Sequence, residues 1–382
     1  MCELTDIQAC SNDTPNKVTR VAIVTNIPAP YRTKIYQKLA THWGQENFKV
    51  FYCTEKQENR QWILHQNGFN FAYLKGIVLK WNNRYIHFNS SIYKSLISYN
   101  PNIIITTGFN PTYLFAFCYA LIYKKVHITM TDGTLDSEQK LTFIHRATRR
   151  LIYQHSKAFI GASLGSLKLY ESYGISKKSI FKSQLCANND GFSRPLTAAH
   201  RSYDLMFSGR FSPEKNPLFA IDVAVGVAKV LNRKVTLLML GNGPLFKQAN
   251  HYATTVNDFV EVIFPGFVQQ EELPQHYCSA KVFLFPTAWD PWGVVANEAC
   301  AAGQVVIISP NAGAANDLVI DGENGYVIDL NLDLWIKKTA CLFNNIPILE
   351  QFSKDSLLKV QAFNYDAATT GIIDTVSSIT MQ

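Results

Sequence analysis

Two carboxylates stand eight residues apart in the stretch Pro286-Thr-Ala-Trp-Asp290-Pro-Trp292-Gly293-Val-Val-Ala-Asn-Glu298. At the rim of a crevice, paired carboxylates accept hydrogen bonds from hydroxyl groups such as those of a sugar ring or a ribose. The flank on the left, Lys281-Val-Phe-Leu-Phe-Pro286, is a short apolar run closed by proline and reads as a buried parallel strand. On the right an Ala-rich helix runs from Gly293 to Ala302 and ends at Gly303, a natural left-handed cap, before a second apolar strand, Gln304-Val-Val-Ile-Ile-Ser309. The whole is one βαβ unit, which puts Asp290 at the carboxyl edge of a sheet, where open α/β sheets bind ligands. Taken alone, the same spacing also suits a helix cap at Asp290 and a solvated side chain at Glu298.

A second unit lies upstream. Tyr203-Asp-Leu-Met-Phe-Ser208 reads as a strand, Gly209-Arg210-Phe-Ser-Pro-Glu-Lys215 as a basic loop, and Asn216-Pro217 as an N-cap and first helical residue. Arg210 offers a planar fork for phosphate oxygens and Lys215 a movable point charge, both at a helix N-terminus, so a diphosphate would bind there. One Arg and one Lys on a loop are also commonly just solvated.

These motifs occur in order with Gly241-Asn-Gly243, Val262-Ile-Phe-Pro-Gly266-Phe267-Val268, Tyr277, Gly313-Ala-Ala-Asn-Asp317 and Asp321-Gly-Glu-Asn-Gly325. From Tyr203 to Asp329 the chain thereby resembles the family-4 retaining glycosyltransferases. Upstream, Pro30-Tyr31-Arg32, Gly108-Phe-Asn110-Pro111, Asp132-Gly-Thr134 and His145-Arg146 resemble a branch that builds bacterial surface polysaccharides such as lipopolysaccharide. The resemblance implies the GT-B fold, an α/β architecture of two facing, doubly wound Rossmann-like domains with a cleft between them. It implies hexosyl transfer, with retention, from a nucleotide-diphosphate sugar to a hydroxyl of a glycan or polyprenyl-diphosphate-linked acceptor. The donor, a UDP- or GDP-sugar, is a co-substrate, and no cofactor is implied.

The resemblance also distributes roles. Arg210 and Lys215, beside Gly209 and the amides near Gly293, stabilise the leaving diphosphate, and Asp290, with Trp292 near it, approaches the sugar. Glu298 holds the ribose, and the backbone of Gly266, Phe267 and Val268 meets the base. Tyr31, Arg32, Asp132 and His145 are acceptor-side candidates with no assigned chemistry. Asp290 stands where the family usually has glutamate, and the missing methylene withdraws the carboxylate by roughly an ångström. A nucleotide-sugar epimerase on the same fold would use this donor site without an acceptor. An NAD-dependent oxidoreductase is disfavoured: Gly241-Asn-Gly243-Pro-Leu-Phe-Lys247 lacks the third glycine of a dinucleotide fingerprint, and Asn26-Ile-Pro-Ala-Pro30 has none. No Asp-x-Asp pair closes a strand and the histidines show no ligand spacing, so metal-independent chemistry is expected.

At 382 residues and 47% hydrophobic, the chain is long enough for two domains with real cores. The expected division is a polar, disordered tail over 1–17, an acceptor-side domain over 18–195, a donor domain over 196–364 and a helix over 365–382 that crosses back to the first domain. A linker is expected at Asn188-Asn-Asp-Gly-Phe-Ser-Arg-Pro195. The first domain alternates strands at Arg20–Thr25, Phe48–Cys53, Ile103–Thr107, His127–Thr131 and Ala158–Ala162 with helices. Its apolar run from Pro111 to Tyr123 is too short to span a bilayer of about 30 Å.

Eight dispersed cysteines without Cys-x-x-Cys spacing suit a reducing cytoplasm. Residues 1–195 hold 24 Lys and Arg against 11 Asp and Glu, net +13, which leaves the remainder at −6 of a total of +7. Such a basic domain suits an anionic membrane surface, with Arg146, Arg149 and Arg150 on one helix face and Lys177, Lys178 and Lys182 as a second group, or else a solvated face. Nucleic acid is excluded as a partner because the aromatics are not interleaved with the basic clusters.

Overall fold

The computed structural model describes residues 19–57, 66–81, 84–139, 141–192 and 200–380. The tail over 1–17 and the end of the expected linker, Arg194-Pro195, lie outside these residues.

The first half alternates strand and helix. In chain order it runs β1 (Val21–Thr25), α1 (Pro30–Trp43), β2 (Phe48–Tyr52), β3 (Asn70–Tyr73), β4 (Ile77–Trp81), β5 (Arg84–Phe88), α2 (Ser91–Tyr99) and β6 (Ile103–Thr106). It continues with α3 (Pro111–Ile122), β7 (Val126–Thr131), α4 (Leu135–Gln139), α5 (Phe143–His155), β8 (Ala158–Gly161), α6 (Leu164–Ser172) and β9 (Ile180–Lys182). β1, β6 and β8 are buried at every position, as strands covered by helices on both faces must be. The sheet is parallel, in the order β3-β2-β1-β6-β7-β8-β9. β4 and β5 form a separate antiparallel hairpin.

The five strands expected from sequence are all present, and two more flank them. β3, Asn-Phe-Ala-Tyr, and β9, Ile-Phe-Lys, are edge strands of four and three residues, too short and too mixed for an apolar run to stand out. Tyr31 and Arg32, the acceptor-side candidates, form the first turn of α1, because Pro30 supplies a preset φ at the helix start.

The second half repeats the pattern with β10 (Tyr203–Ser208), α7 (Pro217–Leu231), β11 (Val235–Leu240), α8 (Phe246–Thr255), β12 (Val260–Gly266), α9 (Leu273–Cys278) and β13 (Ala280–Phe285). After these come α10 (Val294–Ala301), β14 (Val305–Ile308), β15 (Gly325–Val327), α11 (Leu332–Asn344), α12 (Ile346–Val360) and α13 (Tyr365–Thr380). Its six strands are parallel in the order β12-β11-β10-β13-β14-β15, with the chain switching direction between β10 and β13. A ligand-binding crevice opens at such a switch point.

Several sets of contacts join the halves. α13 lies on α1, β8 and β9, where Ala368, Ile372 and Val376 enter a core with Ile23, Ile105 and Ile160. Asp317, on the loop after β14, accepts from the first backbone N–H of α6 at Leu164 (2.9 Å) and from Lys182 Nζ (2.6 Å). Tyr31, at the start of α1, packs against the second domain's core. Ile372→Ala should therefore destabilise the protein by about 3 kcal/mol, the usual result of emptying a buried isoleucine site, read as a fall in the urea midpoint.

Candidate active site

The loops that follow β10, β11 and β12 are stitched to one another by backbone hydrogen bonds. Gly209 N–H donates to Leu240 O (3.1 Å), Gly241 N–H to Gly266 O (2.8 Å) and Phe211 N–H to Asn242 O (3.0 Å). The approach leaves no room for a side chain at Gly241, where a Cβ would stand 1.9 Å from Gly209 O. Gly209, Arg210 and Gly266 are thus gathered on one carboxyl edge, with Phe267 partly exposed beside Gly266 and Val268 turned toward the core.

The basic and acidic loops meet on the same edge. Lys215 Nζ donates to Asp290 Oδ2 at 2.6 Å, and Asp290 Oδ1 accepts from Trp292 N–H at 3.0 Å. Ala288 N–H and Thr287 Oγ1 donate to Glu214 O (2.8 and 2.9 Å), so the ion pair is framed by backbone on both sides. The N-cap expected at Asn216 is not made: its backbone is left-handed (φ 51°) and its Nδ2 donates instead to Pro286 O at 3.0 Å. That amide ties β13's end to α7's start, a use of the side chain that competes with capping.

Gly293 precedes α10 at φ 96°, with the Phe285 ring where a Cβ would be, so only glycine fits the turn. α10 then carries Glu298 inward to 5% exposure. Gln270 Nε2 donates to Glu298 Oε1 at 3.3 Å. The Tyr277 hydroxyl, fully buried, lies beside Glu298 and Ser208 close enough to act on both electrostatically, yet it makes no hydrogen bond of good geometry. Burial pushes the Glu298 carboxyl up to about 7, with Tyr277 and Gln270 opposing the shift. Trp292, expected at the ligand, is completely buried: its Nε1 donates to Asn297 Oδ1 (2.7 Å) and its ring stacks on Phe363 (5.7 Å). A large apolar ring beside a helix packed on the sheet gains more from the core than from the crevice, so the Trp292 side chain is not presented to a ligand.

The first domain supplies the facing wall. Asp132 follows β7 at the carboxyl edge and is exposed to solvent. Desolvation by the surrounding protein raises its carboxyl from the usual range; Arg32 and Arg149 oppose the shift, and Asp290 adds to it. Asp290 belongs to the other domain, so the two carboxyl edges face each other. Arg32, in the first turn of α1, has its Nη1 buried without a hydrogen-bond partner.

Arg149 is the residue sequence reasoning assigned elsewhere. It does not lie on a solvated face with Arg146 and Arg150 but turns inward, paired with Glu138, over the Phe109 ring at 4.5 Å, and it acts on Asp132. The Gly108-Phe-Asn110 motif held the one sequence signal, an aromatic at a strand end that a cation can cover. Lys182 likewise leaves the surface group for Asp317. His145 is exposed, with Nδ1 2.7 Å from Thr142 Oγ1 in its own helix start, and it is not among the charges that act on Asp132. Among the described residues, no group of three or more His, Cys, Asp or Glu could hold a metal ion.

Two parallel α/β sheets with facing carboxyl edges, one lined by cations and paired carboxylates, define a GT-B protein. Residues 189–354 match the family described as glycosyl transferases group 1. A Klebsiella pneumoniae protein described as an uncharacterized 41.2 kDa protein in the cps region is 24% identical over 74% of this chain and 75% of its own. The GDP-mannose-dependent α-(1-6)-phosphatidylinositol monomannoside mannosyltransferase of Mycolicibacterium smegmatis is 30% identical over 28% of this chain and 31% of its own. Among solved structures, Anabaena HepE in complex with UDP superposes with a TM-score of 0.74 at 15% identity, over 94% of this chain and all of that one.

Glu298 gives the site a measurable signature in the free protein. Its folded pKa is raised, so folding favours the neutral acid, and the advantage is present below about 4.5 and lost as pH rises through about 7. Glu298→Gln should gain stability relative to wild type across that window, by up to about 3 kcal/mol, in thermal melts taken from pH 5 to pH 8.

Proposed function

We propose that this protein transfers a hexose from a nucleotide-diphosphate sugar, with retention at the anomeric carbon, to a hydroxyl of a glycan or lipid-linked acceptor in surface polysaccharide or glycolipid synthesis. The observation that carries the reading is the pairing of Lys215 with Asp290, on the same carboxyl edge as the Arg210 loop and buried Glu298. Lys215 has three N–H donors and gives one to Asp290, so it can also hold a phosphate oxygen. Together with Arg210 it neutralises charge on the leaving diphosphate as the bond from the anomeric carbon to phosphate oxygen breaks. The acceptor hydroxyl bonds to that carbon on the same face and passes its proton to the departing phosphate oxygen. No enzyme nucleophile takes part. Asp290, pinned by Lys215 and Trp292 N–H, presents its carboxylate to the sugar hydroxyls, while Asp132 and Arg32 orient the acceptor from the opposite wall.

Glu298 accepts from the ribose hydroxyls in this scheme. The named donor of the mycobacterial relative and the UDP of HepE favour GDP or UDP as the nucleotide. The acceptor class follows the mannosyltransferase relative, whose acceptor is a glycolipid by name, and the cps-region relative. Two cationic side chains at the diphosphate supply the countercharge that a metal supplies elsewhere, so turnover is proposed to be metal-independent and to survive EDTA.

Calorimetric titration with UDP, GDP, ADP and NAD tests the donor site. One nucleoside diphosphate should bind selectively, and binding of NAD alone, or of nothing, would overturn the reading. Glu298→Gln should weaken that binding by roughly tenfold, through loss of a charge-assisted hydrogen bond, with little change in kcat. Arg210→Ala should lower kcat by roughly a hundredfold. Because the ribose needs the carboxylate form, wild-type affinity should fall about tenfold per pH unit below about 7, and Glu298→Gln should flatten that dependence. An α-linked product from an α-linked donor, read by NMR, supports retention, and a β-linked product excludes it.

A further inference from the structure

The positive charge of the first domain is spread along its sequence, but the fold concentrates one part of it on an apolar face. α5 reads Phe-Ile-His-Arg-Ala-Thr-Arg-Arg-Leu-Ile-Tyr-Gln-His and contains no acidic residue. Phe143 and Ile144, in its first turn, are 84% and 74% exposed. Leu151 on the same helix and Leu135 on α4 are exposed as well, so the apolar surface is clustered rather than scattered. Beside them a groove of about 640 Å³ lies between α4, α5 and the end of α6, with Leu135, Arg146, Arg150, Leu151 and Tyr173 among its walls.

On α5 the charge of this face is positive, and the one exposed acid on the described part of α4 is Asp136. Arg146 and Arg150 stand one helical turn apart on the same side of α5. The only acid lining the groove, Glu138, is taken by Arg149 and by the Tyr173 hydroxyl at 2.6 Å. Arg146 Nη2 also donates to the carbonyls of Glu138 and Gln139 (3.2 Å each), which fixes α4 against α5 and holds the face in shape. No described helix is long and apolar enough to cross a membrane, and α5, amphipathic and basic, has the character of one that lies on it.

We propose that the α4–α5 face seats the protein on a membrane bearing anionic phospholipid, with Phe143 and Ile144 entering the interfacial layer and Arg146 and Arg150 meeting lipid phosphates. The position suits a lipid-linked acceptor. α4 and α5 follow β7, whose carboxyl end carries Asp132, and Arg149 on α5 turns from this face toward Asp132. The seat therefore adjoins the acceptor wall of the cleft. This deepens the lipid-linked acceptor reading, but docking is measurable without donor or acceptor, so the two can fail separately.

The test is co-sedimentation of the full chain with phosphatidylcholine vesicles, with and without phosphatidylglycerol, over a range of salt. Wild type should pellet with the anionic vesicles only, less so as salt rises. Phe143→Ser with Ile144→Ser should abolish pelleting, and Arg150→Gln should weaken it about fivefold, the worth of one basic residue near an anionic surface. Nucleoside diphosphate binding by the variants, unchanged, confirms that they fold. Wild type that stays in solution, that binds neutral vesicles equally, or that pellets as well after the apolar pair is removed would overturn the proposal. So would a dimer in sedimentation velocity that the same pair of substitutions dissolves, since the face would then belong to a second copy of the chain.

Discussion

The Lys215–Asp290 ion pair is the contact on which the second domain's edge of the candidate site depends. It joins the loop after β10 to the loop after β13, two strands that are neighbours in the sheet, beside the bonds that Ala288 and Thr287 make to Glu214 O and Asn216 makes to Pro286 O. Both side chains are largely withdrawn from solvent, so each charge needs the other, and leaving either one alone there would be far less favourable than the pair. The pairing also sets the chemistry. A carboxylate held back by an ammonium and by Trp292 N–H is a fixed acceptor, not a mobile one, which suits a residue one methylene shorter than the glutamate of the resembled family.

Around that pair the molecule relies on a second carboxylate to bring its halves together. Asp317 caps the start of α6 and holds Lys182, both from the first domain, and Lys182 also lies over Phe363. Since Phe363 stacks on Trp292 two residues beyond Asp290, the contacts between the halves run up to the site. α13 adds the apolar part of the joint, and its docking on α1 places Tyr31 and Arg32 where the second domain can be felt.

Sequence pattern is most informative where an element is long, apolar and locally closed. The βαβ unit from Lys281 to Ser309 and the strand-loop-helix from Tyr203 to Leu231 are visible because buried parallel strands are continuous apolar runs and Gly293 and Pro217 punctuate them. β3 and β9 are not, since edge strands of three or four residues carry too few buried positions to leave a pattern. Asn216 shows a subtler limit. Its residue type fits a cap, but a carbonyl seventy residues away, Pro286 O, competes for the same amide and takes it.

By itself the sequence determined the alternation of strand and helix, the asymmetry of charge between the halves, and the type and order of the donor-side residues, because each of these is a local or compositional property. Which side chains meet was decided only by the tertiary structure. Trp292 went to the core because burial of an indole outweighs its nearness in sequence to Asp290. Arg149 left a seemingly solvated helix face because Glu138 and the Phe109 ring met it there, and Glu298 acquired its raised pKa only when α10 carried it beneath Tyr277. Partners so distant along the chain, and the desolvation they impose, exist only once the chain has closed on itself.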